Sequence, residues 1–210
     1  MLHRNRHDHL GQQDATLDRV RLNEVITHIA FGGRRRSAYT RIAALSGARP
    51  GDRVLDVGCG GGYLALLLCA AVAPGGEVTG LDTSAPAIAY ARKRAAANCS
   101  FVVGKAQDLP WPDRSFDVVA SSLAVHHIPG PARQDAFSEM YRVLRPGGAL
   151  LVADFRPSTR QHSLHSRVTA SGHGSAVPLE DLAAAAGFRI EARGDLPLLR
   201  YVRALRPSAS

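Results

Sequence analysis

The chain has 210 residues, 45% of them hydrophobic and 21% charged, which excludes a disordered polymer and suits one α/β domain with a small lid. At this length a fold buries roughly two-thirds to three-quarters of the surface its unfolded chain exposes. The formal charge of +8 rests on 26 basic residues, of which only Lys93 and Lys105 are lysines. The arginines are scattered, with only Arg34-Arg35-Arg36 forming a run, so the charge speaks to solubility and encounter rather than to a phosphate-binding tract. Nucleic acid is not the expected partner.

The longest apolar run, residues 63–74, is too short to span a bilayer, and no apolar stretch follows the basic Met1-Leu2-His3-Arg4. Cys59, Cys69 and Cys99 are an odd set without C-x-x-C spacing, which fits neither a disulfide framework nor a zinc ribbon. A cytoplasmic protein without a leader is expected. Residues 1–13 carry His3, His7 and His9 but no hydrophobic period, and read as a disordered tail rather than a metal site. Residues 14–210 read as a single domain.

Leu17, Val20, Val25, Ile26 and Ile29 follow helical spacing over residues 14–30, and a second helix is predicted over 35–45, so that 14–50 supply N-terminal helices. After Pro50-Gly51 strands and helices alternate. Strands are predicted at 53–57, 77–81, 100–103, 116–121 and 149–153, with helices at 63–73, 85–97 and 134–144. Asp82-Thr83-Ser84 offers N-cap oxygens before the helix at 85, and Arg145-Pro146-Gly147-Gly148 breaks the one that ends at 144. A polar stretch, 156–177, interrupts the rhythm; a helix at 180–186 and closing strands at 188–192 and 199–204 follow. This alternation implies a mostly parallel sheet with helices on both faces, whose ligand lies beyond the carboxyl ends of the strands where strand order reverses.

The first strand runs into Asp56-Val57-Gly58-Cys59-Gly60-Gly61-Gly62. Glycines let a ligand approach the backbone closely, and the following helix offers free N–H groups. The loop alone does not name the ligand, since Gly60-x-Gly62-x-x-Ala65 also satisfies a relaxed dinucleotide fingerprint. Asp56, however, puts negative charge where a pyrophosphate would sit, which suits an amine-bearing ligand better. Asp82 closes the second strand, where a carboxylate accepts from ribose hydroxyls; a plain N-cap is the alternative.

The run Asp56-x-Gly58-x-Gly60-x-Gly62 resembles the first motif of class I S-adenosylmethionine-dependent methyltransferases. Ala106-Gln107-Asp108-Leu109-Pro110-Trp111-Pro112 with Ser115-Phe116-Asp117-Val118-Val119 is similar to that family's adenine loop and fourth strand. Ser121-Ser122-Leu123-Ala124-Val125-His126-His127-Ile128 and Leu144-Arg145-Pro146-Gly147-Gly148 resemble its next two signatures. The resemblance covers about residues 50–155 and is nearest to the small-molecule branch, which includes ubiquinone/menaquinone-type and natural-product methyltransferases.

That resemblance implies a three-layer, Rossmann-like, seven-stranded and mostly parallel sheet whose last strand is antiparallel, with helices on both faces. It implies S-adenosylmethionine as cofactor and S-adenosylhomocysteine as product. Backbone around Gly58, Cys59 and Gly60 would hold the methionine end and Asp56 its amino group; Asp82 and Thr83 would face the ribose. Ala106, Gln107 and Asp108 would meet the adenine, with Leu109 or Trp111 walling the ring, and Ser121 would close the floor. Where relatives often carry Asp, Asn or Glu this chain has Lys105, which has no acceptor, so Gln107 or Asp108 takes that contact or the adenine grip is weaker.

Methyl transfer is an in-line displacement that rests on positioning, with a base where the nucleophile carries a proton. His126, past the fourth strand, is the candidate base; its alternative is packing or capping in the turn near Pro129. His127 is a candidate acceptor contact. Residues 156–177, with His162, His165 and His173, occupy the place of a substrate lid, and no acidic residue or cysteine joins these histidines to make a metal site. Arg34 and Tyr39 are candidates for the other wall. The expected acceptor is a small molecule, and the protein a monomer or homodimer. RNA is less expected because aromatics are only 6% of the chain. A short-chain nicotinamide reductase would need Tyr-x-x-x-Lys, which none of the five tyrosines provides. A non-catalytic S-adenosylmethionine-binding scaffold is the remaining alternative.

Overall fold

A computed structural model describes residues 33–156 and 178–208. The predicted tail, the helix at 14–30 and the lid histidines His162, His165 and His173 lie outside the described residues. The order of elements is α1 (Arg35–Ser46), β1 (Arg53–Val57), α2 (Tyr63–Val72), β2 (Glu77–Asp82), α3 (Ala85–Arg92), β3 (Cys99–Val103), β4 (Phe116–Ser122), α4 (Arg133–Val143), β5 (Leu144–Phe155), α5 (Leu179–Ala185), β6 (Arg189–Leu196) and β7 (Leu199–Leu205). Two short 3₁₀ turns, Val125–His127 and Gly130–Ala132, link β4 to α4.

The seven strands lie in the order β3-β2-β1-β4-β5-β7-β6. Pairings among β3, β2, β1, β4 and β5 are parallel, and β7 runs antiparallel to both β5 and β6. Alternate residues of the central strands feed two cores. Val54 and Leu151 point to the side of α1, α2 and α3 with Ile42, Leu68 and Ile88. Leu55 and Leu150 point to the side of α4 and α5 with Phe137, Met140 and Leu179. A run such as Leu150-Leu151-Val152-Ala153, buried residue by residue, is what a strand covered on both faces requires.

Among the described residues the predicted elements are present, and the boundaries that move most are the end of α3, both ends of β5 and the end of β6, which runs to Leu196 rather than 192. Helix α3 stops at Arg92 rather than 97: its backbone tightens into turns in which Arg94 N–H donates to Ala91 O and Ala95 N–H to Arg92 O, while the Arg92 guanidinium reaches across to the carbonyl of Phe101 (Nε 3.0 Å, Nη2 2.8 Å). Its N-cap is Ser84, whose Oγ accepts from Ala87 N–H at 3.3 Å. Strand β5 begins at Leu144, since the run predicted as a breaker is itself bonded: Gly147 N–H donates to Arg206 O and Arg206 N–H to Gly148 O. The same strand continues to Phe155, two residues past its predicted end. The closing strands form a hairpin in which Leu196 pairs with Leu199.

Candidate cofactor and acceptor site

Strand order reverses between β1 and β4, and the carboxyl ends of β2, β1, β4 and β5 bring Asp82, Asp56, Ser121 and Asp154 to one edge of the sheet. Asp56 is 1% exposed. Its carboxylate accepts from Ala65 N–H in the first turn of α2, one of the donors a helix leaves unpaired, while Oδ2 has no partner among the described residues. Burial pushes its pKa up to about 7, and the nearby Asp82 charge adds to the rise.

Asp82 is a bridge rather than the N-cap. Its Oδ2 accepts from Gly60 N–H at 2.9 Å and its Oδ1 from Ser84 N–H at 2.8 Å, which ties the glycine loop to the turn after β2. Each oxygen retains a further lone pair. Thr83 is exposed beside it.

The loop itself is shaped by its neighbours. Gly58 N–H and Cys59 N–H both donate to Leu81 O (2.7 and 3.0 Å). Gly58 has φ +74°, and a Cβ there would lie 2.2 Å from the Cβ of Ala124, so its bare backbone lets the loop after β4 approach. At Gly60 a Cβ would meet nothing within 4 Å: the space over it is open. The Cys59 side chain turns away into the core beneath Gly80, and burial pushes its thiol up.

Past β3, Lys105 and Asp108 form a tight bridge in which Asp108 N–H donates to Lys105 O at 3.2 Å. Lys105 and Asp108 are exposed, Gln107 is half-buried, and Ala106 is buried against the core. Leu109 is likewise in the core, and Trp111 stacks edge-on against Phe116 at 5.4 Å. The Arg142 guanidinium holds this loop to α4 through Leu109 O, Trp111 O, Asp113 and Glu139. Those contacts hold the Asp113 and Glu139 carboxyls below the usual range.

Across the crevice, Ser121 Oγ is buried without a partner among the described residues. Tyr39 is buried edge-on against Tyr63 (5.0 Å), with the Arg35 guanidinium over the Tyr63 ring at 4.1 Å. Burial raises the pKa of its hydroxyl against the opposing pull of Ser122 and Arg35. Arg34, the residue before α1, is exposed and lies along a groove with Arg36, Ser37 and Arg41.

The loop after β4 turns sharply at Leu123, whose φ is +55°, and is fixed by Leu123 N–H donating to Ala153 O. It carries His126, half-buried, with Nδ1 2.7 Å from Asp154 Oδ1 and its backbone N–H on Asp154 Oδ2 at 2.9 Å. The rings of His127 and Phe155 lie 3.9 and 5.1 Å from the His126 ring. Asp154 is the functional candidate that sequence reasoning missed. Its signal is a carboxylate at the end of an apolar strand, hidden because the predicted strand stops at 153, one residue before it.

Among the described residues no group of three or more His, Cys, Asp or Glu could hold a metal, and no helix is long and apolar enough to cross a membrane.

The order of strands and a carboxylate at the carboxyl ends of both β1 and β2 define a class I methyltransferase fold. Residues 54–148 match the family described as a methyltransferase domain. The chain is 37% identical over 133 residues to the demethylmenaquinone methyltransferase of Symbiobacterium thermophilum, covering 61% of this chain and 52% of that protein. It is 46% identical over 109 residues to the fatty-acid O-methyltransferase of Mycolicibacterium smegmatis, covering 51% and 38%. Among solved structures, an S-adenosylmethionine-dependent methyltransferase from Aquifex aeolicus shares the fold with a TM-score of 0.72 at 19% identity, over 90% of this chain and 98% of that one. The chain thus carries a methyltransferase domain over residues 54–148, and its fold is that of S-adenosylmethionine-dependent methyltransferases of known structure. It spans about half the length of the curated relatives it matches.

Proposed function

We propose that the protein transfers a methyl group from S-adenosylmethionine to an O, N or C atom of a small molecule, releasing S-adenosylhomocysteine. The observation that carries this is the buried, unpartnered Oδ2 of Asp56 at the end of β1, which an ammonium group would satisfy and a diphosphate would not. Open space over Gly60 and the spare lone pairs of Asp82 fit the rest of an amino-acid nucleoside. The cofactor supplies a sulfonium methyl group whose departing electron pair stays on sulfur.

The chain's own residues then have distinct tasks. Asp56 accepts from the amino group, with the backbone of Gly58, Cys59 and Gly60 alongside. Asp82, next to Thr83, accepts from the ribose hydroxyls. Ala106 N–H, with Gln107 and Asp108, meets the adenine, and exposed Lys105 leaves that contact to its neighbours. Ser121 lies on the floor, while Tyr39 and His127 border the acceptor. His126 takes the acceptor's proton as the methyl group arrives. Relatives named for a quinone precursor and for fatty acids favour a small acceptor, and the scattered arginines disfavour nucleic acid. A cytoplasmic monomer or homodimer fits three cysteines without a disulfide among the described residues.

Transfer of labelled methyl from S-adenosylmethionine to a panel of phenols, quinol precursors, amines and fatty acids tests the proposal. Label in at least one product is expected; none, from folded protein that binds the cofactor, would leave a scaffold. Asp82→Ala is expected to weaken S-adenosylhomocysteine binding by about 1–3 kcal/mol, the scale of a lost charged hydrogen bond. Unchanged affinity by titration would reduce Asp82 to its bridge between Gly60 and Ser84.

A further inference from the structure

We infer that Asp154 is a positioning residue for the acceptor site: it holds His126 as the Nδ1–H tautomer, so that Nε2 is the atom left to accept a proton. The inference rests on the methyltransferase proposal for what His126 does, but the tautomer itself is a property of the protein alone.

Asp154 sits at the end of β5, 2% exposed at its side chain, and His126 in the turn after the adjacent strand β4. The carboxylate is fixed by three donors. Its Oδ1 lies 2.7 Å from both His126 Nδ1 and Phe155 N–H, and its Oδ2 accepts His126 N–H at 2.9 Å. A carboxylate flanked by two backbone donors has no proton to give, so the short contact to the ring requires a hydrogen on Nδ1. Among the described residues, the other groups facing His126 are engaged elsewhere or pack on the ring. The Arg133 guanidinium donates to the carbonyls of Ile128 (2.9 Å) and His126 (3.5 Å), and the His127 and Phe155 rings pack on the imidazole at 3.9 and 5.1 Å.

The ring is therefore held through Nδ1, which leaves Nε2 as the nitrogen able to take a proton. When the methyl acceptor is an X–H group, its proton passes to Nε2 as the bond from X to the methyl carbon forms. The imidazolium, stabilised by Asp154, later returns the proton to water. A base so arranged is wasted on an acceptor that is already an anion at neutral pH. The pair thus selects an acceptor that must lose a proton over a free carboxylate.

The test is nitrogen NMR of the full chain labelled at histidine, with and without S-adenosylhomocysteine, joined to kinetics of the Asp154→Asn variant. Wild-type His126 is expected as a single Nδ1–H tautomer, which needs no acceptor to be known. In Asp154→Asn that single tautomer is lost. S-adenosylhomocysteine affinity stays within about twofold, and kcat on any acceptor found above falls about 10²-fold or more with little change in KM. A wild-type His126 protonated on Nε2, or a variant with kcat within about threefold of wild type, would overturn the inference. Failure of the wild-type protein to bind S-adenosylmethionine would instead overturn the methyltransferase proposal and leave the tautomer result standing.

Discussion

Gly58→Ala is expected to cost about 3 kcal/mol or more of stability and to disorganise the acceptor side of the crevice. Two effects add. A φ of +74° costs an L-residue about 1–2 kcal/mol, and the new methyl group would sit 2.2 Å from the Cβ of Ala124. Neither carbon is the end of a flexible side chain, so the loop after β4 has to move, taking His126 off Asp154 with it. Ala124→Gly in the Gly58→Ala background removes the clash but not the backbone cost, so it should restore about half of the loss. Urea unfolding of the four proteins of this cycle measures both terms. A Gly58→Ala protein within about 0.5 kcal/mol of wild type would show that the two loops do not press together as described.

The second large effect is a dependence on pH carried by Asp56. Its native pKa of about 7 lies above the ordinary 3.8, so the folded protein holds a proton that the unfolded chain releases. The resulting stability is fully present below about pH 4 and is lost as pH rises through about 7, up to about 4 kcal/mol. Asp56→Asn, which keeps an oxygen for Ala65 N–H and has no charge to bury, should abolish that fall. It should be more stable than wild type at about pH 8 in the absence of cofactor, while binding the cofactor far less well. Denaturant midpoints at about pH 5 and about pH 8 decide the matter. Equal pH slopes for the two proteins would place the proton elsewhere. An ammonium group arriving at Asp56 favours the carboxylate, so cofactor binding at about pH 6 should release a proton, seen as a buffer-dependent heat.

Much of the crevice was legible before the fold was known, because its parts are local in sequence. The Asp56 to Gly62 run announces a strand end, a tight turn and a helix start, and each is found where the spacing placed it. Buried strands such as 150–153 are apolar without alternation, and helices such as α4 carry apolar residues at helical spacing, so the layers followed as well. What was hidden depends on contacts between distant segments. Strand β5 gains its first residues from pairing with the segment around Arg206, and helix α3 gives way after Arg92 to tight turns that lead into β3. The partnership of His126 with Asp154, 28 residues apart, exists only once β4 and β5 lie side by side. Arg34 and Tyr39 are both candidates for the wall from sequence, and only the docking of α1 shows that the first is exposed and the second lies in the core.

The central claim is that the crevice between β1 and β4 was built for an amino-acid nucleoside carrying a positive charge. Calorimetric titration of the purified protein, freed of carried-over ligand, with S-adenosylmethionine and S-adenosylhomocysteine, and with NADH and NADPH as controls, tests it directly. Micromolar binding of the first pair and none of the second is the predicted result. Binding of the nicotinamide cofactors, or of none of the four by a folded protein, would contradict it.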